Sequence, residues 1–586
     1  MPNPAPNQDE SIEHQLGKGA ATKLYIGNFH KTLPHNDYGE VVDNINTKIN
    51  AYKEFKDICL AVARGEPTDF EGVARGDPGS AKFVSPMSGA SSETHGPDPQ
   101  ALEMPPAPGI LSTSTAAEML ELYWMALLRD LPLADFSNDT LVAQAITEIR
   151  AAYQQALNED QAAGAINLHT DLPSEGGSGE VLDIRAETLF RCGLKGEEFG
   201  PLISQFFLRP IPYGVQTIDP RQVPYIRNKD FLITHTDWLR AQNTGQDQHG
   251  RDYGKCNYYA DQLPPKNARY YPASLKRRYI STLRDLARFV NRDALHQAYF
   301  NAALFLDAIG ASVDAGNPYE GYTRQGKFAT LGGPDLLALV SEVASRALKV
   351  VWRQKWLVHR RARPEAYGGL LQMEKVGYAA PGSAAVKRDY GLPDLIKTSS
   401  VAQLIFSKNN TYFLPMAFSA GSPSHPAYGA GHATVAGACV TVLKAWFKED
   451  ESLGDLIAEA MADASSKEPV EAGRLRGLLQ PGPFESNEVG KEGETDAIFG
   501  EPGDYSGDLS VGGELNKLAS NVAMGRSIGG VHWRTDNTRS LRLGEQVGIE
   551  ILRKRTLEYA ESGASFTFTD FNRRLVLIKH GKVTRS

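Results

Sequence analysis

The sequence predicts a mainly α protein made of packed helical bundles with a few short strands. Three observations carry this. Apolar residues recur every three or four positions over several long stretches. Alternation with period two is rare before the C-terminal tail. Polar segments rich in Gly and Pro separate the periodic stretches.

Taken in order, the chain reads as three parts. Residues 1–110 form an N-terminal arm. Its first 22 residues are polar, without the pattern of a signal peptide or a helical anchor, so no compartment is indicated. The remainder is rich in Gly, Pro and Ser, with a helical piece over Val41–Arg64. It reads as a wrapping segment more than as core. Residues 111–330 read as a first helical half. Met119, Leu122, Tyr123, Ala126 and Leu127 mark a helix over Thr115–Leu131, and Leu141–Ala156 repeats the pattern. A Gly-rich break follows at Glu175–Gly179. Residues 241–273 are polar and read as a long surface loop. Leu275–Ala308 then reads as one helical run.

Residues 331–586 read as the second helical half. Pro334 suits a first helical position, and Leu336, Leu339, Val340, Val343 and Leu348 carry that helix toward Trp356. A further helix runs from Gly431 to Phe447. Residues 463–512 are polar and Gly-rich and read as an insertion. Glu514–Ile528 and Asp536–Tyr559 are helical on either side of Gly529-Gly530. Phe566–Asp570 and Leu575–Lys579 read as a hairpin.

Composition excludes several classes. With 62 Lys+Arg against 70 Asp+Glu the net charge is −8, which argues against a nucleic-acid binder. No apolar stretch reaches the roughly 18 residues of a membrane span. Cys59, Cys192, Cys256 and Cys439 form no CxxC pair and read as isolated thiols, with one or two bridges as the open alternative.

Three segments carry chemistry. In the first, Lys355 lies near a helix end and Pro364 pushes Arg363 out of helical geometry, so a bend can aim both cations at one point. The plain reading is a solvated basic run of Arg360, Arg361 and Arg363. In the second, turn residues from His425 to Ala430 give way to a helix at Gly431, with His432 at its N-terminus. Free N–H groups and the helix dipole favour an anion there. In the third, Arg526 closes a helix and His532 precedes the next. Asp536, four residues on, can hold the imidazole from behind. Singly, each is explained by solvation, turn geometry or core packing. Jointly, Lys355, Arg363, Arg526, the Gly431 N–H, His432 and His532 suit a tetrahedral oxyanion of the phosphate or vanadate kind.

The pattern K-x7-RP, then GH at a helix start, then R-x5-H-x3-D, resembles the signature shared by vanadium-dependent haloperoxidases and the type 2 phosphatidic-acid phosphatases. The runs His359–Ala366, Leu414–Phe418, His425–Lys444, Met104–Pro108 and the Leu33-Pro34-His35 region are similar to the bromoperoxidases of red algae and cyanobacteria. The likeness covers nearly the whole chain. It implies vanadate as cofactor, with phosphate able to occupy the pocket in its absence. It implies His532 as the vanadium ligand. Lys355, Arg363, Arg526 and the Gly431 N–H would hold the equatorial oxygens. His432 would be the acid/base and His425 would lie near the halide path. Trp352 falls where fungal chloroperoxidases carry a tryptophan, so the choice between bromide and chloride stays open. The implied reaction activates hydrogen peroxide without redox change at the metal. Bromide, with chloride and iodide as further candidates, becomes hypohalous acid, which halogenates small organic acceptors. A homo-oligomer built on dimers, up to a dodecamer, is implied too.

One departure concerns Ala430, where the family usually has Ser. The missing hydroxyl removes a donor to the oxyanion, so anion binding should persist while rate or halide preference changes. Two other readings of the pocket remain. One is an acid phosphatase with His532 as nucleophile. The other is an inactive oxyanion-binding homologue. A calcium loop is not supported, since Gly316–Pro334 holds Glu320 as its lone carboxylate.

Overall fold

The computed structural model describes residues 25–162, 171–174, 182–254, 277–466 and 509–586. The Gly-rich break at Glu175–Gly179, most of the insertion expected at 463–512, and Cys256 lie outside these residues. The helices are α1 (Ala51–Ala63), α2 (Thr113–Leu128), α3 (Thr140–Ala162), α4 (His235–Thr244), α5 (Leu283–Arg292), α6 (Gln297–Ala308) and α7 (Gly333–Arg353). They continue as α8 (Pro364–Lys375), α9 (Asp394–Lys397), α10 (Ser400–Asn409), α11 (Gly431–Trp446), α12 (Leu453–Ser466), α13 (Val511–Ile528) and α14 (Arg534–Glu558). The strands are short. β1 (Ile211–Tyr213) and β2 (Gln216–Ile218) form one antiparallel pair. β3 (Ser565–Thr569), β4 (Leu575–Lys579) and β5 (Lys582–Arg585) form a meander, one strand more than the expected hairpin. No helix among the described residues is long and apolar enough to cross a membrane. The expected mainly α class is what the chain adopts.

The core is organised around α11, which is buried along nearly its whole length. It packs along α14 and also touches α7 and α13. Close approach to α14 depends on paired glycines. A Cβ on Gly437 would lie 2.0 Å from the Leu541 carbonyl oxygen, and one on Gly544 1.9 Å from that of Thr434. No side chain fits there, so the two backbones meet directly. This crossing brings the N-termini of α11 and α14 side by side.

Three expectations are corrected. The helical piece expected over Val41–Arg64 is confined to α1. The preceding stretch folds into turns, because Asn36 Oδ1 accepts from the Tyr38 and Glu40 N–H groups and Asn44 Oδ1 from that of Asn46. The run expected over Leu275–Ala308 is, in its described part from 277 onward, divided into α5 and α6. Thr282 caps α5 by accepting from the Asp285 N–H, and Asp293 leaves the helix in extended geometry. The region 241–273 is not all surface loop. α4 extends to Thr244, and Ala241, Gln242 and Asp247 are buried.

The arm also differs from a mere wrapping. Phe29, Phe55, Phe70 and Phe83 surround the buried Trp356 with ring centroids 5.5–6.2 Å away, all edge-on. Lys31 is buried against Glu365 at 2.6 Å and donates to the carbonyls of Ala420 and Ser422. Aromatic residues scattered in a Gly- and Pro-rich stretch show no period, which is why they escape a periodicity reading. Cys59, Cys192 and Cys439 are buried free thiols, as isolated cysteines should be.

Candidate active site

α7 does not stop at Arg353 but passes into a π-helical turn, Gln354–His359. This carries Lys355 inward, with Nζ 5.6 Å from the Trp352 ring centroid. Such widened turns recur at functional sites because they redirect a side chain without ending the helix. Arg360 then adopts left-handed geometry, and Arg363 stands as the extended N-cap of α8, with Pro364 in the first turn. The bend expected between Lys355 and Arg363 is therefore present.

Both cations are fully buried and face the loop before α11. Lys355 Nζ donates to the carbonyls of Pro426 at 2.9 Å and Ala427 at 3.1 Å. Arg363 donates to the carbonyls of His425 at 2.9 Å and Val531 at 2.7 Å. Its guanidinium also lies 3.1 Å from His532 Nε2 and 2.8 Å from His425 Nδ1. Arg526, at the end of α13, donates to the Tyr253 hydroxyl and the Val290 carbonyl, both at 2.7 Å. Its Nε has no hydrogen-bond partner among the described residues.

His532 sits just before α14, with Nδ1 3.0 Å from Asp536 Oδ2. Asp536 also accepts from the Trp533 N–H and from Arg361. A carboxylate at Nδ1 selects the tautomer with hydrogen on that atom and leaves the Nε2 lone pair pointing away from it. His432, in the first turn of α11, places Nε2 3.0 Å from Asp293 Oδ1. Trp352 packs on His425 with ring centroids 5.1 Å apart, and its indole N–H donates to the Val84 carbonyl. Gly431 starts α11, and a Cβ there would lie 3.0 Å from the Trp352 ring. Ala430 is the buried N-cap, with its N–H donating to Ser540 Oγ at 2.8 Å and no side-chain cap of its own.

These groups surround one cavity of about 780 Å³. His425, Gly431, His432, Arg526, His532 and Trp352 line it, and Tyr253, Phe83 and Val84 add further wall. Lys355, Arg363, Ala430 and Asp536 stand behind that wall. All ten residues singled out in the sequence thus come together. Sequence reasoning missed Asp293 and Tyr253. Asp293 carries no local signal beyond ending a helix. Tyr253 lies in the stretch read as surface loop.

The electrostatics describe a site that wants an anion. Burial, reinforced by Arg363, holds the Lys355 ammonium well below the usual lysine range. Burial and Arg526 bring Arg363 down to about 9. Burial, with Arg363 and Lys355 next, holds His532 well below the usual imidazole range. Burial, followed by Lys355, does the same to His425. For His432 burial also lowers the value, while the Asp293 carboxylate opposes it. Arg363, Lys355 and Arg526 repel one another more than the Asp536 carboxylate offsets, and an arriving oxyanion would relieve that repulsion. Arg forks and a lysine point charge fit its oxygens.

No family model matches the sequence. Individual proteins do. The chain is 33% identical over 577 residues to the vanadium-dependent bromoperoxidase of Corallina pilulifera, spanning 92% of this chain and 88% of that one. It is 30% identical over 571 residues to that of Ascophyllum nodosum, spanning 95% and 87%. Among solved structures, the second vanadate-dependent bromoperoxidase of Ascophyllum nodosum superposes with a TM-score of 0.75. The identity is 26%, covering 98% of this chain and 90% of the other. A likeness of this extent in both sequence and fold makes the chain a member of the vanadium-dependent bromoperoxidase family, and a haloperoxidase enzyme.

Proposed function

We propose that the chain binds vanadate and uses hydrogen peroxide to oxidise bromide to hypohalous acid, which halogenates small organic acceptors. One observation supports this most. Arg526, the N-terminus of α11 and His532 line a single cavity, with the buried cations Lys355 and Arg363 behind that wall. Lys355, Arg363, Arg526 and the Gly431 N–H would hold the oxygens of the anion, and His532 would ligate the metal. Vanadate, when bound, supplies Lewis-acid activation of peroxide without changing oxidation state. Burial keeps His432 neutral near pH 7, ready to accept a proton from incoming peroxide. Because Asp293 engages Nε2, Nδ1 is the atom that takes it. His425 and Trp352 would line the halide path. The Ascophyllum nodosum structure is described as homohexameric, which supports a homo-oligomer here.

The deciding experiment mixes apoprotein with vanadate, hydrogen peroxide, bromide and phenol red. Bromination of the dye supports the reading. Strong phosphate-ester hydrolysis without any colour change would replace it with the phosphatase reading.

Two variants probe the pocket further. Ala430→Ser restores a hydroxyl at the N-cap of α11. A hydrogen bond from it to a charged oxygen is worth about 1.5–3 kcal/mol, so turnover or halide preference should change. Unchanged kinetics with both bromide and chloride would refute this. If the hydroxyl instead caps its own helix, stability rises by about 1 kcal/mol and kinetics do not move. Asp293→Asn removes the charge that favours the His432 imidazolium. Its folded-state value then falls further below the usual imidazole range. The acid limb of the rate profile should therefore move to lower pH, and a limb that stays in place would exclude His432 as the titrating base.

A further inference from the structure

Arg361 belongs to the basic run whose plain reading is a solvated face, yet its side chain is 3% exposed. One of its terminal nitrogens donates to Thr535 Oγ1 and Asp536 Oδ1, both at 2.9 Å. The other donates to Glu118 Oε2 at 2.7 Å. Glu118 comes from α2, far away in the chain, and is fully buried. Its second oxygen accepts from the Thr535 N–H at 2.7 Å and the Thr535 hydroxyl at 2.6 Å. Arg361, Thr535 and Glu118 thus close a ring of hydrogen bonds. The guanidinium also lies 4.7 Å from the Trp533 ring centroid.

The effect falls on Asp536. Its Oδ1 is held by Arg361, and its Oδ2 accepts from the Trp533 N–H at 3.0 Å while facing His532 Nδ1 at the same distance. With Oδ1 clamped, the carboxylate has one rotation left, the one that serves His532. We propose that Arg361, itself held by Glu118, is a positioning residue that aims His532 Nε2 into the oxyanion pocket. It touches neither the pocket nor its ligands, and acts through Asp536. This rests on the vanadate reading of the site.

The geometry sets a test that activity alone does not decide. Vanadate would take His532 Nε2 into its coordination sphere, whereas inorganic phosphate is held by charge and hydrogen bonds. Misaiming the imidazole should therefore weaken vanadate selectively. The double variant Arg361→Gln/Glu118→Gln removes both charges of that pair, so Glu118 is not left as an unpaired buried carboxylate, while Asp536 loses its cation and keeps the Trp533 N–H and His532. Its affinity for vanadate, measured by equilibrium dialysis, is expected to fall about 10–100-fold, the usual cost of losing an outer partner of a metal-ligating histidine. Its affinity for phosphate should stay near that of the wild type. Glu118→Gln alone keeps Arg361 on Asp536 and should show a smaller fall in the same direction, which covers a double variant that does not fold. Equal losses for both anions, or an unchanged vanadate affinity, would overturn the positioning role while leaving the vanadate reading intact. A wild-type protein that binds phosphate but not vanadate would overturn both.

Discussion

His532→Ala is expected to abolish vanadate retention and, with it, bromide oxidation. The imidazole is the one neutral nitrogen donor that Asp536 aims away from itself, and Arg363 lies 3.1 Å from that nitrogen. If His532 is the proposed direct ligand, its removal should cost more than the roughly 10–100-fold typical of an outer partner. The surrounding cations remain, so phosphate should still bind, now without competition for a ligand bond. Metal analysis after dialysis against vanadate, alongside a phosphate titration, reads both halves of this expectation. Stability should fall modestly, because Asp536 loses one partner but keeps Arg361 and the Trp533 N–H. A variant that retains stoichiometric vanadate would remove His532 from the ligand role.

His432→Ala should behave in the opposite way. Lys355, Arg363, Arg526 and His532 are untouched, so vanadate should load normally. What disappears is the proposed base at the start of α11, and positioned proton transfer contributes roughly 10²–10⁴-fold. The loss should appear in kcat/KM for peroxide, and the acid limb attributed to His432 should vanish from the pH profile. If vanadate affinity fell as steeply as turnover, His432 would be a binding group instead. Together the two variants separate holding the anion from handling the proton.

Much of this site is legible in the sequence because its parts are local. A helix that starts at Gly431, a proline after Arg363 and a carboxylate four residues from His532 each leave a mark within a few positions. The long periodic helices α11, α13 and α14 are legible for the same reason. The groups that escape notice are those supplied from a distance. Asp293 is recognisable only once α5 ends beside His432. Arg361 looks like a solvated charge until α2 delivers Glu118. The aromatic shell of Trp356 is drawn from an arm without period, so its burial is a tertiary fact with no local trace. The break between α5 and α6 is missed because the apolar spacing on either side happens to stay in phase.

The joining of Glu118 to Thr535 across most of the chain has a consequence for biosynthesis. As the ribosome releases the protein, α2 emerges early with a buried-type glutamate and nothing to pair it. The arm likewise carries Lys31 long before Glu365 exists to receive it. The oxyanion pocket has no partial form: the Lys355 turn, the α11 start and the α14 start must all be present before a small anion finds a complete set of donors. Contacts of such long range make folding slow and leave intermediates exposed. Loading of the pocket is then necessarily a late event, after these distant segments have come together.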